Sequence, residues 1–197
     1  MDDGDATIRA YEEPVDRYLA ADRVPPAHVL AWQERFAALV GPGATVLELG
    51  SGPGSDADRL EARGLHVLRS DATPAFADRL RGLRHAVLDL DVRRDPLPAP
   101  VDGVFANAVL LHLERDELAD ALARIAGALR GGGVLACTVK EGDGEEWHDR
   151  KLGLPRRFVY WREGPLRAAL VAAGLEVLSI DRTRGATEDW LQVLARR

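Results

Sequence analysis

The 197-residue sequence has one cysteine, Cys137, which excludes a disulfide framework and any metal centre built on a set of thiolates. It has no apolar run near the ~18–20 residues that cross a bilayer as a helix. Lysine is scarce: of 26 basic residues only Lys140 and Lys151 are lysines, a skew that with the abundant alanine reflects GC-rich coding rather than chemistry. The arginines are scattered, and the pairs Arg93-Arg94 and Arg156-Arg157 sit among acids or prolines. With a formal net charge of −6 the chain lacks the Lys/Arg patch that displaces counterions from a nucleic acid backbone. No nucleic acid partner is expected, and no basic amphipathic helix suits a membrane surface. The opening MDDGDATIRAYEEP is acidic and polar, unlike a secretory or transit peptide, so a cytoplasmic protein is expected.

What is present is ordinary for one globular domain spanning residues 1–197: 46% hydrophobic and 29% charged residues. Residues 1–41 read as amphipathic helix, with Val29, Leu30, Trp32, Phe36, Leu39 and Val40 at three- and four-residue spacings. Gly41-Pro42-Gly43 ends that stretch. From Thr45 onward short apolar strands alternate with helical patterns. Strands are predicted at 45–49, 66–68, 86–88, 101–108 and 134–139, and helices at 56–63, 74–81 and 116–129, the last stopped by Gly131-Gly132-Gly133. That rhythm predicts a mostly parallel sheet covered by helices on both faces, a three-layer α/β sandwich. After a helix near 166–173, the runs 175–180 and 190–194 follow with no room for a crossover, so they form an antiparallel hairpin.

The strongest local signal is VLELGSGPG, Val46 to Gly54. Gly50, Gly52 and Gly54 follow a buried strand and precede a helix, where glycine permits positive φ and close approach of backbone amides to a ligand. A dinucleotide site would place a third glycine at position 55, which is Ser55. The spacing is G-x-G-x-G instead, with Glu48 two residues before it. An anion facing the turn suits a ligand with a cationic group and opposes a pyrophosphate. A nicotinamide-dependent oxidoreductase is the competing enzyme class, and a cofactor-binding regulatory module without turnover the competing non-enzyme.

On these residues the sequence resembles the class I S-adenosylmethionine-dependent methyltransferases, particularly small bacterial members, from Tyr11 to the terminal hairpin. The resemblance implies a seven-stranded sheet whose last strand is antiparallel, S-adenosylmethionine as cofactor, no metal, and a small-molecule acceptor. It implies that Gly50, Ser51, Gly52 and Gly54 pack beside the cofactor and that Glu48 lies near its methionine end. Asp71, closing the second strand in HVLRSDATP, with Ala72 beside it, would hold the ribose hydroxyls. Asp91 and Val92 would contact adenine, with Asp89 as the alternative register. Asn107 and Ala108, at the edge of the fourth strand, would face the methionine moiety. The family's N/D-P-P-Y/F motif for amino methylation of bases and glutamine is replaced by Asn107-Ala108-Val109-Leu110.

Candidate bases are few. His112 follows the fourth strand on the cofactor side, as a general base or as part of the cofactor pocket; His28, His66 and His85 read as structural. Residues 1–41 would form a helical lid bringing Tyr11 and Tyr18 over the cofactor or into plain packing. Residues 142–161 form a substrate-side insert bearing Trp147, His148, Phe158, Tyr160 and Trp161, either core filling or the wall of an acceptor pocket. A monomer or homodimer is expected.

Overall fold

The computed structural model describes residues 3–12, 25–149, 153–185 and 187–197. Tyr18 lies outside the described residues. Helices α1 (Asp3–Glu12) and α2 (Ala27–Val40) precede the first strand. Then follow β1 (Thr45–Glu48), α3 (Ser55–Glu61), β2 (His66–Asp71), α4 (Pro74–Gly82), β3 (Val87–Asp89) and β4 (Val101–Ala106). After a 3₁₀ turn (Leu110–His112) come α5 (Arg115–Ala128), β5 (Leu129–Lys140), β6 (Glu145–His148) and β7 (Arg156–Val159). The chain finishes with α6 (Glu163–Ala172), β8 (Glu176–Arg184) and β9 (Asp189–Arg196).

Seven strands form one sheet in the order β3-β2-β1-β4-β5-β9-β8. The pairs β2–β3, β1–β2, β1–β4 and β4–β5 are parallel, and β9 is antiparallel to both β5 and β8. The sequence pattern predicts β8 and β9 as an antiparallel pair, and they are one. Their placement differs from a hairpin added at the edge: β9 slots between β5 and β8, so only the last strand runs against the others.

Alternation along the strands sorts the core into two. Val46, Phe105, Ala136 and Leu194 face Trp32 and Phe36 of α2 and Leu60 of α3. Their neighbours Leu47, Val104, Leu135 and Val193 face Leu118, Leu122 and Ile125 of α5 and Leu166 and Leu170 of α6. Strands buried on both sides read as continuous apolar runs, which is why β1, β4 and β5 were conspicuous. The indole of Trp32 also donates to the Val193 carbonyl at 3.1 Å, tying α2 to β9.

One local expectation differs from the structure. The glycines 131–133 do not stop a helix: α5 ends at Ala128, and the glycines lie inside β5 where its register against β4 shifts between Val101 and Gly103. A Cβ on Gly133 would stand 2.9 Å from the Arg130 carbonyl oxygen, so the irregularity needs glycine there. Within the insert, β6 and β7 pair as a separate antiparallel hairpin. No helix among the described residues is long and apolar enough to cross a membrane.

Candidate functional site

The loop between β1 and α3 sits at the carboxyl edge of the parallel strands, where open α/β sheets bind their ligands. Gly50 has φ +65°, and a Cβ there would fall 2.6 Å from Val109 Cγ2. Gly54 has φ +90°, and its Cβ would fall 2.8 Å from Leu80 Cδ2. Both positions therefore exclude a side chain by conformation and by contact. The loop is fastened to the end of β2: Gly52 N–H donates to Asp71 Oδ2 at 2.8 Å, and Thr73 N–H donates to Asp71 Oδ1 at 2.8 Å. Burial raises the Asp71 pKa, and these backbone donors oppose that rise.

Glu48 is not in the cavity. Its carboxyl is buried behind the loop, where Ser51 hydrogen-bonds it, and Ser70 Oγ donates to the Glu48 carbonyl at 2.6 Å. Burial pushes its pKa up to about 8, with Asp56 and Asp71 adding to the rise. At neutral pH the acid is mostly protonated, so the anion foreseen in front of the turn stands as a neutral hydrogen-bonding group behind it.

In front of the loop lies a cavity of about 320 Å³. Gly50, Ser51, Gly52, Asp71, Ala72, Asp91, Val92, Asn107, Ala108, Tyr11 and His112 all line it, whereas Glu48 and Gly54 do not. Phe76, Leu90 and Leu113 supply apolar wall beside Val92. Asp91 is chelated by Arg93, whose Nε and Nη2 lie 3.0 and 2.7 Å from its oxygens, with Arg94 Nε at 2.9 Å. Burial would raise the Asp91 pKa, but the Arg93 hydrogen bonds outweigh it and the net shift is downward. Asp89 instead pairs with Arg81 at 2.7 Å, its side chain 71% exposed, so the two registers are separated in space.

Two residues without a sequence signal also line the cavity, Asp56 and Arg59. Asp56 Oδ1 accepts from Arg59 Nη2 and from Gln33 Nε2, both at 2.6 Å, and Oδ2 accepts from Asn107 Nδ2 at 2.9 Å. Arg59 Nε is buried without a hydrogen-bond partner among the described residues. An i,i+3 ion pair on a helix reads in sequence as a solvated face. Only the fold turns it towards a cavity.

Helix α1 covers the site. Asp5 bonds Arg93 at 2.8 Å, and Thr7 Oγ accepts the Arg157 N–H at 3.2 Å. His112 Nδ1 lies 2.5 Å from the Arg157 carbonyl, which can only accept, so Nδ1 carries the proton. Nε2 is then the acceptor of the Tyr11 hydroxyl at 3.0 Å, and Arg156 Nη1 donates to that hydroxyl at 3.1 Å. Desolvation lowers the His112 pKa to about 4, helped by the positive charges of Arg156 and Lys140. The free lone pair that a general base needs is already in use.

None of Trp147, His148, Phe158, Tyr160 and Trp161 lines the cavity. Phe158 and Trp161 are buried in the core, and Trp147 is 39% exposed. His148 stacks on Phe158 with centroids 4.1 Å apart, and the Tyr160 hydroxyl lies 3.2 Å from Glu146 and Glu188. These five residues of the insert therefore stand outside the cavity lining, with Phe158 behind His112 at a ring-centre distance of 4.9 Å.

Residues 47–137 match the family described as methyltransferase domain. The chain is similar to the solved structure of a Burkholderia thailandensis 1,6-didemethyltoxoflavin-N1-methyltransferase with bound 1,6-didemethyltoxoflavin and S-adenosylhomocysteine. That match is 25% identical, covers 98% of this chain and 86% of the other, and has a TM-score of 0.74. The chain thus carries a match to a methyltransferase domain over residues 47–137 and has the fold of solved S-adenosylmethionine-dependent methyltransferases. The chain shares its fold with magnesium protoporphyrin IX methyltransferase of Synechocystis PCC 6803 with bound SAM (18% identity, 100% and 98% coverage, TM-score 0.76). It shares it also with the N-methyltransferase NodS of Bradyrhizobium japonicum WM9 in complex with S-adenosylhomocysteine (18% identity, 100% and 99% coverage, TM-score 0.72). No curated protein sequence matches the chain.

Proposed function

We propose that this methyltransferase transfers the methyl group of S-adenosylmethionine to a small-molecule acceptor. The observation that carries the methyl-donor part is the lining of the cavity in front of the glycine turn, where Asp71 and Asp91 stand beside the Gly50–Gly52 backbone. The cavity of about 320 Å³ lies under α1, at the small end of the ~300–1,000 Å³ range of small-ligand pockets. Two of the similar proteins are described as methyltransferases of 1,6-didemethyltoxoflavin and of magnesium protoporphyrin IX, which supports the same class. A net charge of −6 disfavours a polyanionic acceptor.

The lining fits the cofactor by the chemistry of its donors. Phe76, Leu90, Val92 and Leu113 offer apolar surface to an adenine ring, with Asp91 at its edge. Asp71 offers acceptor oxygens to ribose hydroxyls, and Ala72 lies beside it. The backbone of Gly50, Ser51 and Gly52, held by Gly54, together with Asn107 and Ala108, borders the methionine moiety. Asp56 and Arg59 add a charge pair suited to its ammonium and carboxylate. Tyr11 and His112 close the adenosyl side, and Glu48 orders the loop through Ser51. The bound cofactor supplies an electrophilic methyl group on a sulfonium; the chain aligns the acceptor with it and keeps water away.

Calorimetry with S-adenosylhomocysteine tests the cofactor assignment, with NADH as the competitor. Binding of the former alone is expected. S-adenosylhomocysteine release from S-adenosylmethionine in the presence of a metabolite extract tests turnover. Methylation of purified tRNA or DNA would remove the small-molecule assignment.

A further inference from the structure

We propose that Thr138, on β5 and outside the cavity lining, is a positioning residue for the amino-acid end of the cofactor, acting through Asn107 on the Asp56–Arg59 pair. This rests on the reading of the chain as an S-adenosylmethionine-dependent methyltransferase. β4 ends at Ala106, whereas β5 runs on to Lys140. Past that end a side chain takes over the pairing. Ala108 N–H donates to Thr138 Oγ1 at 2.8 Å, and Thr138 Oγ1 donates to Asn107 Oδ1 at 3.0 Å. Thr138 is 3% exposed and does not line the cavity.

The direction of each hydrogen bond follows from the donors and acceptors. A carboxylate bonded to a guanidinium can only accept, so Asn107 turns Nδ2 to Asp56, at 2.9 Å, and Oδ1 to Thr138. The Thr138 proton then goes to Oδ1, and its oxygen accepts from Ala108 N–H. One hydroxyl thus orients Asn107 and holds Ala108 together. A valine of the same shape can do neither.

What the hydroxyl holds is strained. Ala108 has φ +58°, in the left-handed region that a residue with a Cβ seldom adopts. A return to negative φ would turn the peptide that joins it to Asn107 and draw the amide away from Asp56. The other Asp56 oxygen holds Arg59 Nη2 and Gln33 Nε2, both at 2.6 Å. Arg59 Nε has no hydrogen-bond partner among the described residues, so the place of that guanidinium follows the place of Asp56. Asn107, Ala108, Asp56 and Arg59 all line the cavity. Two hydrogen bonds therefore carry the position of a β5 hydroxyl to a charge pair on α3.

The test is calorimetry on the full chain with S-adenosylhomocysteine and with 5′-methylthioadenosine, which has the adenosyl group and no amino acid. Thr138→Val should weaken S-adenosylhomocysteine binding by about tenfold, within the range of couplings inside one hydrogen-bond network, and 5′-methylthioadenosine binding by less than about twofold. Thr138→Ser keeps the hydroxyl and should bind both ligands as wild type does. Added to Arg59→Met, Thr138→Val should deepen the loss by less than about twofold, because both act on one contact. If Thr138→Val does not fold, Thr138→Ala carries the same comparison. Equal losses for the two ligands, an unchanged S-adenosylhomocysteine affinity in the folded variant, a Thr138→Ser protein as weak as Thr138→Val, or losses that multiply with Arg59→Met each overturn the proposal. A wild-type chain that binds neither ligand overturns the methyltransferase reading itself.

Discussion

The Tyr11 hydroxyl donates to His112 Nε2 across 3.0 Å, joining the first helix to the turn after β4. With Nδ1–H held by the Arg157 carbonyl, the imidazole is locked as one neutral tautomer. His112→Gln should therefore reduce turnover by less than tenfold, whereas loss of a general base removes about 10²–10⁴. The measurement is the rate of S-adenosylhomocysteine release in the presence of a metabolite extract; a fall of a hundredfold or more would make His112 the base.

The same histidine sets a pH dependence. Its folded-state pKa is lowered to about 4 from 6.5, so between those values the unfolded chain binds the proton and the folded chain does not. Its contribution to stability is complete above about 6.5 and is lost as pH falls towards 4. Glu48 has the opposite sign. With its pKa raised to about 8, its contribution is complete below the ordinary carboxylate range and is lost as pH rises through 8. Urea unfolding of wild type and Glu48→Gln from pH 6 to 9 should show the decline at high pH in wild type alone.

Arg59 and Asp71 should separate two halves of the cofactor. Arg59→Met is expected to weaken S-adenosylhomocysteine binding by about 10–100-fold, the loss of a charge-assisted hydrogen bond. It should leave 5′-methylthioadenosine, which lacks the amino acid, unaffected. Asp71→Ala should weaken both ligands by ~1–3 kcal/mol, because both carry the ribose. Calorimetry with the two ligands checks the split; equal losses for Arg59→Met would put that residue outside the amino-acid end.

Gly50 and Val109 give a packing test. Gly50→Ala forces a side chain into positive φ and against Val109 Cγ2 at 2.6 Å; a destabilisation of ~1–3 kcal/mol is expected. Val109→Ala should rescue part of that loss and none of the backbone strain. A double-mutant cycle in urea reads the coupling, and additive effects would mean the contact contributes nothing.

Legibility in the sequence followed how local each constraint was. Gly50, Gly54 and Asp71 were visible because a strand, a tight turn and a helix within some 25 residues leave few alternatives for such residue types. β1, β4 and β5 were visible because burial on both faces makes them apolar throughout. The placement of β9 between β5 and β8 was not, since strand order depends on contacts between distant segments. The β6–β7 hairpin was hidden because EEWH and RRFV mix charge with aromatics in no clean alternation. Arg156 looked like half of a basic pair; only its neighbours distinguish it from Arg157, which has two carboxylates.

The slot that β9 fills has a consequence for biosynthesis. Until Asp189–Arg196 has left the ribosome, β5 and β8 have no partner between them. The nascent chain then displays two open edges in the middle of its future sheet, where another chain can pair. Completion is long-range, because Val193 must also reach Trp32, 161 positions earlier. Production at lower temperature, or with chaperones that shield strand edges, should therefore raise the yield of folded protein more than any change to the helices.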